Sequence, residues 1–256
     1  MTIALPRTPS FRLDGRRALV VGAGRGLGLA AAAALAQAGA AVTLVARTSA
    51  EIEAVAEAIR AEGGQAETLV LDVTDAPAVR AALAARPPFQ VLVNSAGTNR
   101  PARLVDTPDS DIEAIFKLNV TAAFTLAREV ARGLIAAQLP GSLITMSSQM
   151  GHVGSPQRTV YCATKHAVEG MTKALAWELG AQRIRVNTLC PTFIETPLTR
   201  PMLADPAFRE FVVAKIALGR LGQTDEIMGA VLFLASDASS LVTGSALMVD
   251  GGWTAA

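Results

Sequence analysis

The chain has few of the residue types that build metal sites, disulfide frameworks and aromatic surfaces. Its 256 residues include two cysteines, two histidines and a single tyrosine, Tyr161. Cys162 and Cys190 do not form a C-x-x-C pair, which argues against a disulfide framework and against a cysteine-rich zinc site. His152 and His166 are too few and too far apart for a histidine-rich metal site. We therefore expect no bound metal.

An excess of charge of either sign is also missing. The 23 Lys and Arg residues nearly balance the 22 Asp and Glu residues, and no basic stripe or acidic tail stands out. Nucleic acids and membrane surfaces are therefore not expected as partners. The uncharged stretch 26–46 is split by Gly39 into a helix-like half and a β-branched half, so we predict no membrane span. Residues 1–13 contain no apolar run with a cleavage site, and we expect a cytoplasmic protein.

Strand-length apolar runs alternate with helical segments along the whole chain. The runs occupy residues 18–21, 42–45, 68–71, 90–93, 142–146, 185–189 and 246–249. Segments with helical periodicity include residues 50–62, 112–137, 160–179 and 225–235. Short runs buried on both faces and separated by helices predict a parallel sheet. We predict an α/β Rossmann fold: one domain, 1–256, with a doubly wound parallel sheet of about seven strands and helices on both faces.

The longest irregular connection is predicted at residues 191–206, which contain several prolines. Long loops in compact domains often cover a ligand. In a doubly wound sheet the ligand lies at the carboxyl ends of the strands. We therefore expect the region 191–216 to be a substrate loop or lid.

A glycine-rich turn follows the first predicted strand and leads directly into an alanine-rich helix. Gly22, Gly26 and Gly28 carry its spacing, and Arg25 and Leu27 lie between them. Glycine lets the backbone turn tightly and approach a pyrophosphate, whose charge is favoured at the helix N-terminus. The position of the turn between strand and helix predicts a dinucleotide site.

The second predicted strand ends at Arg47, where many dinucleotide folds place an acid that binds the ribose hydroxyls. A carboxylate would repel a 2′-phosphate, whereas arginine can pair with it through two hydrogen bonds. Arg25 in the glycine loop offers a second cation. We expect NADP(H) to be preferred, with NAD(H) as the alternative.

Tyr161 and Lys165 are four residues apart at the start of a predicted helix, so both side chains share one face. An ammonium beside the phenol favours phenolate, and we expect it to lower the pKa of Tyr161. Ser147 and Ser148 follow an apolar strand and should lie at its carboxyl end. A serine hydroxyl there can bind a carbonyl or alcohol oxygen of a substrate.

With these motifs the chain resembles the short-chain dehydrogenases/reductases over about residues 13–253. Gly22, Gly26 and Gly28 have the family's G-x-x-x-G-x-G spacing, and Ser148 matches the catalytic serine better than Ser147 does. The resemblance implies Asn119, Ser148, Tyr161 and Lys165 as the catalytic set, with Asn119 holding a relay water. It implies further cofactor contacts at Asp72, Val73, Asn94, Ala96, Gly97, Tyr161, Lys165, Pro191, Ile194 and Thr196. Val21, Ser95 and Thr192 depart from the family pattern without touching the catalytic set.

The resemblance implies hydride transfer between a nicotinamide and a secondary alcohol or ketone, and a homotetramer. Gln149, His152, Asn99 and Arg158 are the substrate candidates, and hydrogen bonding by Gln149 and His152 favours a sugar, polyol or sugar acid. One alternative is a 3-oxoacyl-[acyl-carrier-protein] reductase, for which Arg100, Arg103 or Arg132 would bind the acidic carrier. A second alternative is a non-catalytic protein that senses a cofactor.

Overall fold

A single sheet organises the part of the chain that the computed structural model describes, residues 3–255. Its strands are β1 (Arg17–Val21), β2 (Ala41–Ala46), β3 (Gln65–Val70), β4 (Val91–Asn94), β5 (Gly141–Met146), β6 (Ile184–Pro191) and β7 (Ala246–Val249). All neighbours are parallel, in the order β3-β2-β1-β4-β5-β6-β7. The predicted seven-stranded, doubly wound sheet is confirmed.

Helices cover both faces of the sheet. They are α1 (Gly26–Gln37), α2 (Ser49–Ala61), α3 (Ala76–Ala84), α4 (Asp109–Phe116), α5 (Ala123–Ala136), α6 (Thr159–Leu179), α7 (Arg200–Leu203), α8 (Pro206–Ala214) and α9 (Met228–Ala235). Side chains alternate across a strand, so Val20 joins the core under α1, α2 and α9, whereas Leu19 joins the core under α3 and α5. No helix among the described residues is both long and apolar enough to cross a membrane.

The strand order places a crevice beside β1. This strand pairs with β2 on one side and with β4 on the other, and the connections on the two sides diverge. Ligands of open α/β sheets bind outside the carboxyl ends of the strands at such a switch point. The glycine loop after β1 opens onto this crevice.

Three elements of the structure differ in detail from the sequence predictions. The run expected at 68–71 belongs to β3, which starts at Gln65 and is an edge strand with partly exposed side chains rather than one buried on both faces. The helix expected at 112–137 is interrupted between α4 and α5 by a π-helical turn, Lys117–Ala122. The segment 191–206 is less irregular than expected because it includes α7 and the start of α8.

The region of α7 and α8 is held by an apolar cluster of its own. Phe193 packs edge-on against Phe208 with ring centroids 5.7 Å apart, and against Trp253 at 5.9 Å. Tyr161 contacts the same cluster. Packing of α7 and α8 therefore supports the start of α6, where the predicted catalytic tyrosine lies.

Candidate active site

The glycine loop between β1 and α1 forms one part of the site. Gly22 and Gly26 have φ angles of 76° and 56°, which L side chains rarely adopt. Gly28 is buried, and a Cβ atom there would lie 2.0 Å from the carbonyl oxygen of Gly22. The loop therefore requires glycine both for its turns and for its contact with α1.

The first turn of α1 suits an anion. Arg25 precedes the helix without a side-chain capping hydrogen bond, and no acidic residue lies in the first turn. Backbone N–H groups at the start of a helix lack partners within it and carry partial positive charge. These groups and the glycine cradle fit the diphosphate of a dinucleotide.

A cleft of about 390 Å³ lies along this loop and the carboxyl ends of the strands. It is lined by most of the predicted cofactor residues, namely Gly22, Arg25, Gly26, Leu27, Arg47, Asp72, Val73, Ala96, Gly97, Tyr161, Pro191, Ile194 and Thr196. Gly28, Asn94 and Lys165 do not line the cleft but support residues that do. For example, Asn94 Oδ1 accepts a hydrogen bond from the Ala96 N–H at 3.2 Å.

Charged groups surround the cleft next to β2 and α2. The backbone and hydroxyl of Thr74 hold the pKa of Asp72 below its usual value, and the positive charge of Arg47 adds to this. Arg25 Nη1 lies 3.9 Å from the Glu51 carboxylate, which also lines the cleft. Sequence reasoning missed Glu51, because the acid was sought at the end of β2 rather than in the first turn of α2.

Ser148 and Tyr161 meet in the same cleft, since β5 ends just before Ser148 and α6 starts just before Tyr161. Ser148 Oγ donates to Gln149 Oε1 at 2.9 Å and accepts from the Met150 N–H at 3.1 Å. Hydrogen bonding by Ser148 also opposes the rise in the pKa of Tyr161. Two hydroxyls therefore lie side by side, where a substrate oxygen can bind both.

The protonation of Tyr161 differs from the sequence expectation. Burial raises the pKa of its phenol to about 12, and Ser148 and Arg158 offset this only partly. Lys165 Nζ lies 5.4 Å from the ring centroid and donates to the Met146 carbonyl at 2.8 Å instead of to the phenol. The expectation that Lys165 lowers the pKa of Tyr161 is wrong for this structure. At neutral pH the phenol holds its proton and can donate it.

The pKa of Lys165 is closer to neutral pH than that of an ordinary lysine. Burial lowers its pKa to about 8, and the nearby side chains of Cys190 and Glu169 oppose this shift. The charged and neutral forms of the amine are therefore close in free energy near neutral pH. Such a group can pass a proton in either direction.

Asn119 lies in the π-helical turn Lys117–Ala122. Its Oδ1 accepts from the Thr98 N–H at 2.9 Å, and its Nδ2 donates to the Thr98 carbonyl at 2.9 Å and to Thr164 Oγ1 at 3.1 Å. The amide thereby joins the loop after β4 to α6, beside Lys165. π-Helical turns within helices are frequent at functional sites, and this one places Asn119 next to the other predicted catalytic residues.

Comparison with known proteins covers almost the whole chain. The family model described as Enoyl-(Acyl carrier protein) reductase matches residues 22–254. The chain belongs to the short-chain dehydrogenase/reductase family. The resemblance found in its motifs is thereby confirmed.

Relatives of this short-chain dehydrogenase/reductase are named for sugars and sugar acids. D-Erythrulose reductase of Gallus gallus is 40% identical over 245 residues, covering 96% of this chain and 98% of that protein. Gluconate 5-dehydrogenase of Gluconobacter oxydans (strain 621H) is 38% identical over 248 residues, covering 95% and 96%. The solved structure of a gluconate 5-dehydrogenase from Burkholderia cenocepacia J2315, in complex with NADP and tartrate, is 40% identical with a TM-score of 0.92, covering 96% and 98%.

The four predicted substrate residues of this short-chain dehydrogenase/reductase have different surroundings. Gln149 is buried and accepts the Ser148 hydroxyl, and Asn99 has a buried Oδ1 without a hydrogen-bond partner among residues 3–255. His152 Nε2 instead lies 3.6 Å from Cys190 Sγ and 3.7 Å from the Glu169 carboxylate. The structure thus places Gln149 beside the reacting groups and His152 against two neighbouring buried side chains.

Arg158 is the most unusual of the four. It is buried, and it forms no ion pair with any carboxylate of the described residues. Its Nη2 donates to Met202 Sδ at 3.2 Å, whereas its Nη1 is buried without a partner. Burial lowers the pKa of the guanidinium, and Tyr161 lies near enough to oppose this. A buried cation beside the candidate catalytic phenol lacks an anion.

Proposed function

We propose that the protein is an NADP(H)-preferring dehydrogenase that interconverts a secondary alcohol and a ketone in a sugar-type substrate, with a sugar acid favoured. The observation that carries the proposal is that Ser148 and Tyr161 line the cleft that starts at the glycine loop, with Lys165 and Asn119 next to them outside its lining. Bound nicotinamide supplies the hydride. The protein supplies orientation, hydrogen bonds and the proton.

In the reducing direction, each residue of the catalytic set has a separate role. Ser148 donates a hydrogen bond to the substrate carbonyl oxygen, and Tyr161 donates its proton to the same atom. Lys165, with its pKa lowered to about 8, is the nearby group that supplies a new proton to Tyr161 after the transfer. Asn119 holds the loop after Gly97 against α6, which keeps the set in register.

We propose NADP(H) rather than NAD(H) because two arginines, Arg25 and Arg47, line the cleft where it meets β2 and α2. Glu51 neutralises part of the charge of Arg25, since their charged groups are 3.9 Å apart. Arg47 forms no ion pair within the described residues, so it is the better partner for a 2′-phosphate.

Replacing this arginine should change cofactor use selectively. In Arg47→Ala we expect the KM for NADPH to rise about 10- to 100-fold, because a hydrogen-bonded charge pair of about 1.5 to 3 kcal/mol is lost. The KM for NADH should change little. Arg60→Ala is the matched control, since Arg60 is an exposed arginine of α2 outside the cleft. Equal losses with both cofactors, or a wild-type preference for NADH, contradict the proposal.

The preference for a sugar acid rests on Arg158. A buried arginine without an acidic partner is costly unless a ligand supplies the anion. A substrate carboxylate in contact with Arg158 supplies this charge while its hydroxyl or ketone carbon lies near Tyr161. Met202 of α7 contacts Arg158, so we also propose that the region 191–216 closes over the substrate.

Arg158→Gln tests the substrate class. With the wild-type enzyme, we expect a six-carbon aldonate to give a higher kcat/KM than the polyol of equal length. In the variant, kcat/KM for the aldonate should fall at least about 30-fold, because a charge-assisted hydrogen bond is lost, with little change for the polyol. Arg200→Gln, at an exposed arginine of α7, is the control. Equal effects of Arg158→Gln on both substrates would remove the argument for a sugar acid.

The acyl-carrier alternative has weaker support. Each arginine expected to bind the carrier has an acidic partner: Arg100 with Asp111 at 2.5 Å, Arg103 with Asp106 at 3.6 Å, and Arg132 with Glu129 at 2.6 Å. The grouping of the catalytic set also argues against a non-catalytic sensor. Turnover assays with polyols, aldonates and β-ketoacyl esters distinguish the three functions directly.

We also propose a cytoplasmic homotetramer. Large apolar side chains are exposed on the long helices α5 and α6: Trp177 of α6 is 90% exposed, and Phe124 and Ile135 of α5 are each 46% exposed. Burial of such exposed apolar side chains against another copy of the chain would stabilise the assembly.

A further inference from the structure

Three potential metal ligands meet beside the candidate active site, although they are far apart in sequence. His152 lies in the segment after β5, Glu169 on α6 and Cys190 in β6. The distances are 3.6 Å from Cys190 Sγ to His152 Nε2, 3.4 Å from Cys190 Sγ to Glu169 Oε1, and 3.7 Å from His152 Nε2 to Glu169 Oε1. These three side chains are called the His–Glu–Cys cluster below.

The spacing of the cluster matches the edges of a tetrahedral metal site. Zinc binds sulfur at about 2.3 Å and nitrogen or oxygen at about 2.0 to 2.2 Å, so tetrahedral ligand atoms lie about 3.3 to 3.7 Å apart. The three measured edges fall close to this range. The ligands could therefore bind one ion with small adjustments, and a fourth position would be left for water.

Groups around the cluster hold it in place. Thr188 Oγ1 donates to Glu169 Oε2 at 2.9 Å, which orients the carboxylate and leaves Oε1 directed to the other two ligands. Outer hydrogen bonds of this kind are typical of metal sites. Gly151 keeps the space open, because a Cβ atom there would lie 3.0 Å from Ser147 Oγ and 3.1 Å from Glu169 Cγ.

A second, independent feature is a hydroxyl without a partner. Ser147 is buried, and its Oγ has no hydrogen-bond partner among residues 3–255. The hydroxyl and Glu169 both border the space at Gly151, where an added Cβ would lie 3.0 Å from Ser147 Oγ and 3.1 Å from Glu169 Cγ. A buried hydroxyl facing the cluster can bind a ligand or a metal-bound water there.

The charge of the cluster also favours a cation. Glu169 is buried, and no Lys or Arg of the described residues lies within ion-pair distance of its carboxylate. A divalent ion would balance the carboxylate and a thiolate, and the thiol proton would leave to solvent as the metal–sulfur bond forms.

We propose that the His–Glu–Cys cluster binds a borderline-soft divalent ion of the zinc class, and that this ion inhibits the enzyme. Thiolate and imidazole select such ions over Mg²⁺ or Ca²⁺. The inhibition follows from position, since Glu169 lies one helical turn after Lys165 on α6 and His152 follows the segment that begins at Ser148. A bound metal ion would immobilise the segment from Ser148 to His152 and would neutralise the negative charge of Glu169. The inhibition, unlike the binding, rests on the proposed function.

The binding is tested with Co²⁺, whose thiolate complexes absorb in the near ultraviolet, by titration of the purified full-length protein. We expect a charge-transfer band that saturates at one Co²⁺ per chain and is displaced by Zn²⁺. Cys190→Ser should abolish the band, and Glu169→Gln should weaken Co²⁺ binding at least tenfold. Cys162→Ser is the matched control, because it removes the other cysteine and should keep the band. Thermal melting of each variant verifies folding.

Two results would overturn the site. One is the absence of a band in the folded wild-type protein, and the other is a band that persists in Cys190→Ser or disappears in Cys162→Ser.

The inhibition is measured separately. Micromolar Zn²⁺ should reduce turnover of the wild type at least tenfold, reversibly with EDTA, and should leave turnover by Cys190→Ser unchanged. A cobalt band with turnover unaffected by saturating Zn²⁺ refutes the inhibition alone. The cobalt result stands whether or not the proposed reaction is correct.

Discussion

Tyr161→Phe should reduce kcat by about 10³-fold or more, because general acid catalysis contributes up to about 10⁴-fold and the variant has no proton to donate. Burial raises the pKa of the phenol to about 12, so the hydroxyl is protonated at neutral pH and is the group that gives its proton to the substrate. Phenylalanine keeps the ring and its packing. Cofactor affinity, measured by nicotinamide fluorescence, should therefore stay within about threefold.

The comparison for this variant is Thr159→Ala, which alters an exposed residue at the start of the same helix. That variant should keep wild-type kcat and cofactor affinity. A Tyr161→Phe enzyme that retains a tenth of the wild-type kcat would show that another group supplies the proton. Ser148 and Lys165 would then have to act together with a proton donor other than Tyr161.

Gly28→Ala should damage both the fold and the cofactor site. The added Cβ would lie 2.0 Å from the Gly22 carbonyl oxygen and 3.2 Å from the Ala23 Cα, so the clash is with backbone. Overpacking of this kind costs about 2 kcal/mol or more, and the loop must shift to relieve it. We expect the melting temperature to fall by about 5 °C. Cofactor affinity should fall at least about 100-fold, since the loop binds the diphosphate.

Gly229→Ala is the matched control in calorimetry and fluorescence titration. Gly229 is exposed near the start of α9, and nothing lies within 4 Å of an added Cβ. Alanine is about 1 kcal/mol better than glycine in a helix, so this variant should be as stable as the wild type or more so, with normal cofactor affinity. If Gly28→Ala behaved in the same way, the close packing of the loop on α1 would not matter for binding.

Local patterns in the sequence are sufficient for most of the fold. The apolar run expected at 18–21 is β1 within one residue, and the run at 142–146 is β5 within one residue. These strands are buried on both faces, so most of their positions are apolar and the pattern is strong. The pattern is weaker at β3, an edge strand where Val70 is 53% exposed, and there the predicted start was three residues late.

The break in the helix expected at 112–137 has no clear signal in the periodicity. A π-helical turn adds one residue per turn, and the apolar pattern on either side stays helical. The turn containing Asn119 is stabilised by contacts from Thr98 and Thr164, which belong to other parts of the chain. Only the folded chain brings these groups together.

The sequence by itself determined the α/β class, the glycine loop and the spacing of Tyr161 and Lys165, because each depends on residues within a few positions of one another. The tertiary structure decided what depends on burial and long-range contact. Burial raised the pKa of Tyr161 to about 12. The fold also buried Arg158 without an acidic partner among the described residues and placed His152 next to Cys190. Desolvation and charge act through space, so the sequence can name these groups but cannot say which of them meet.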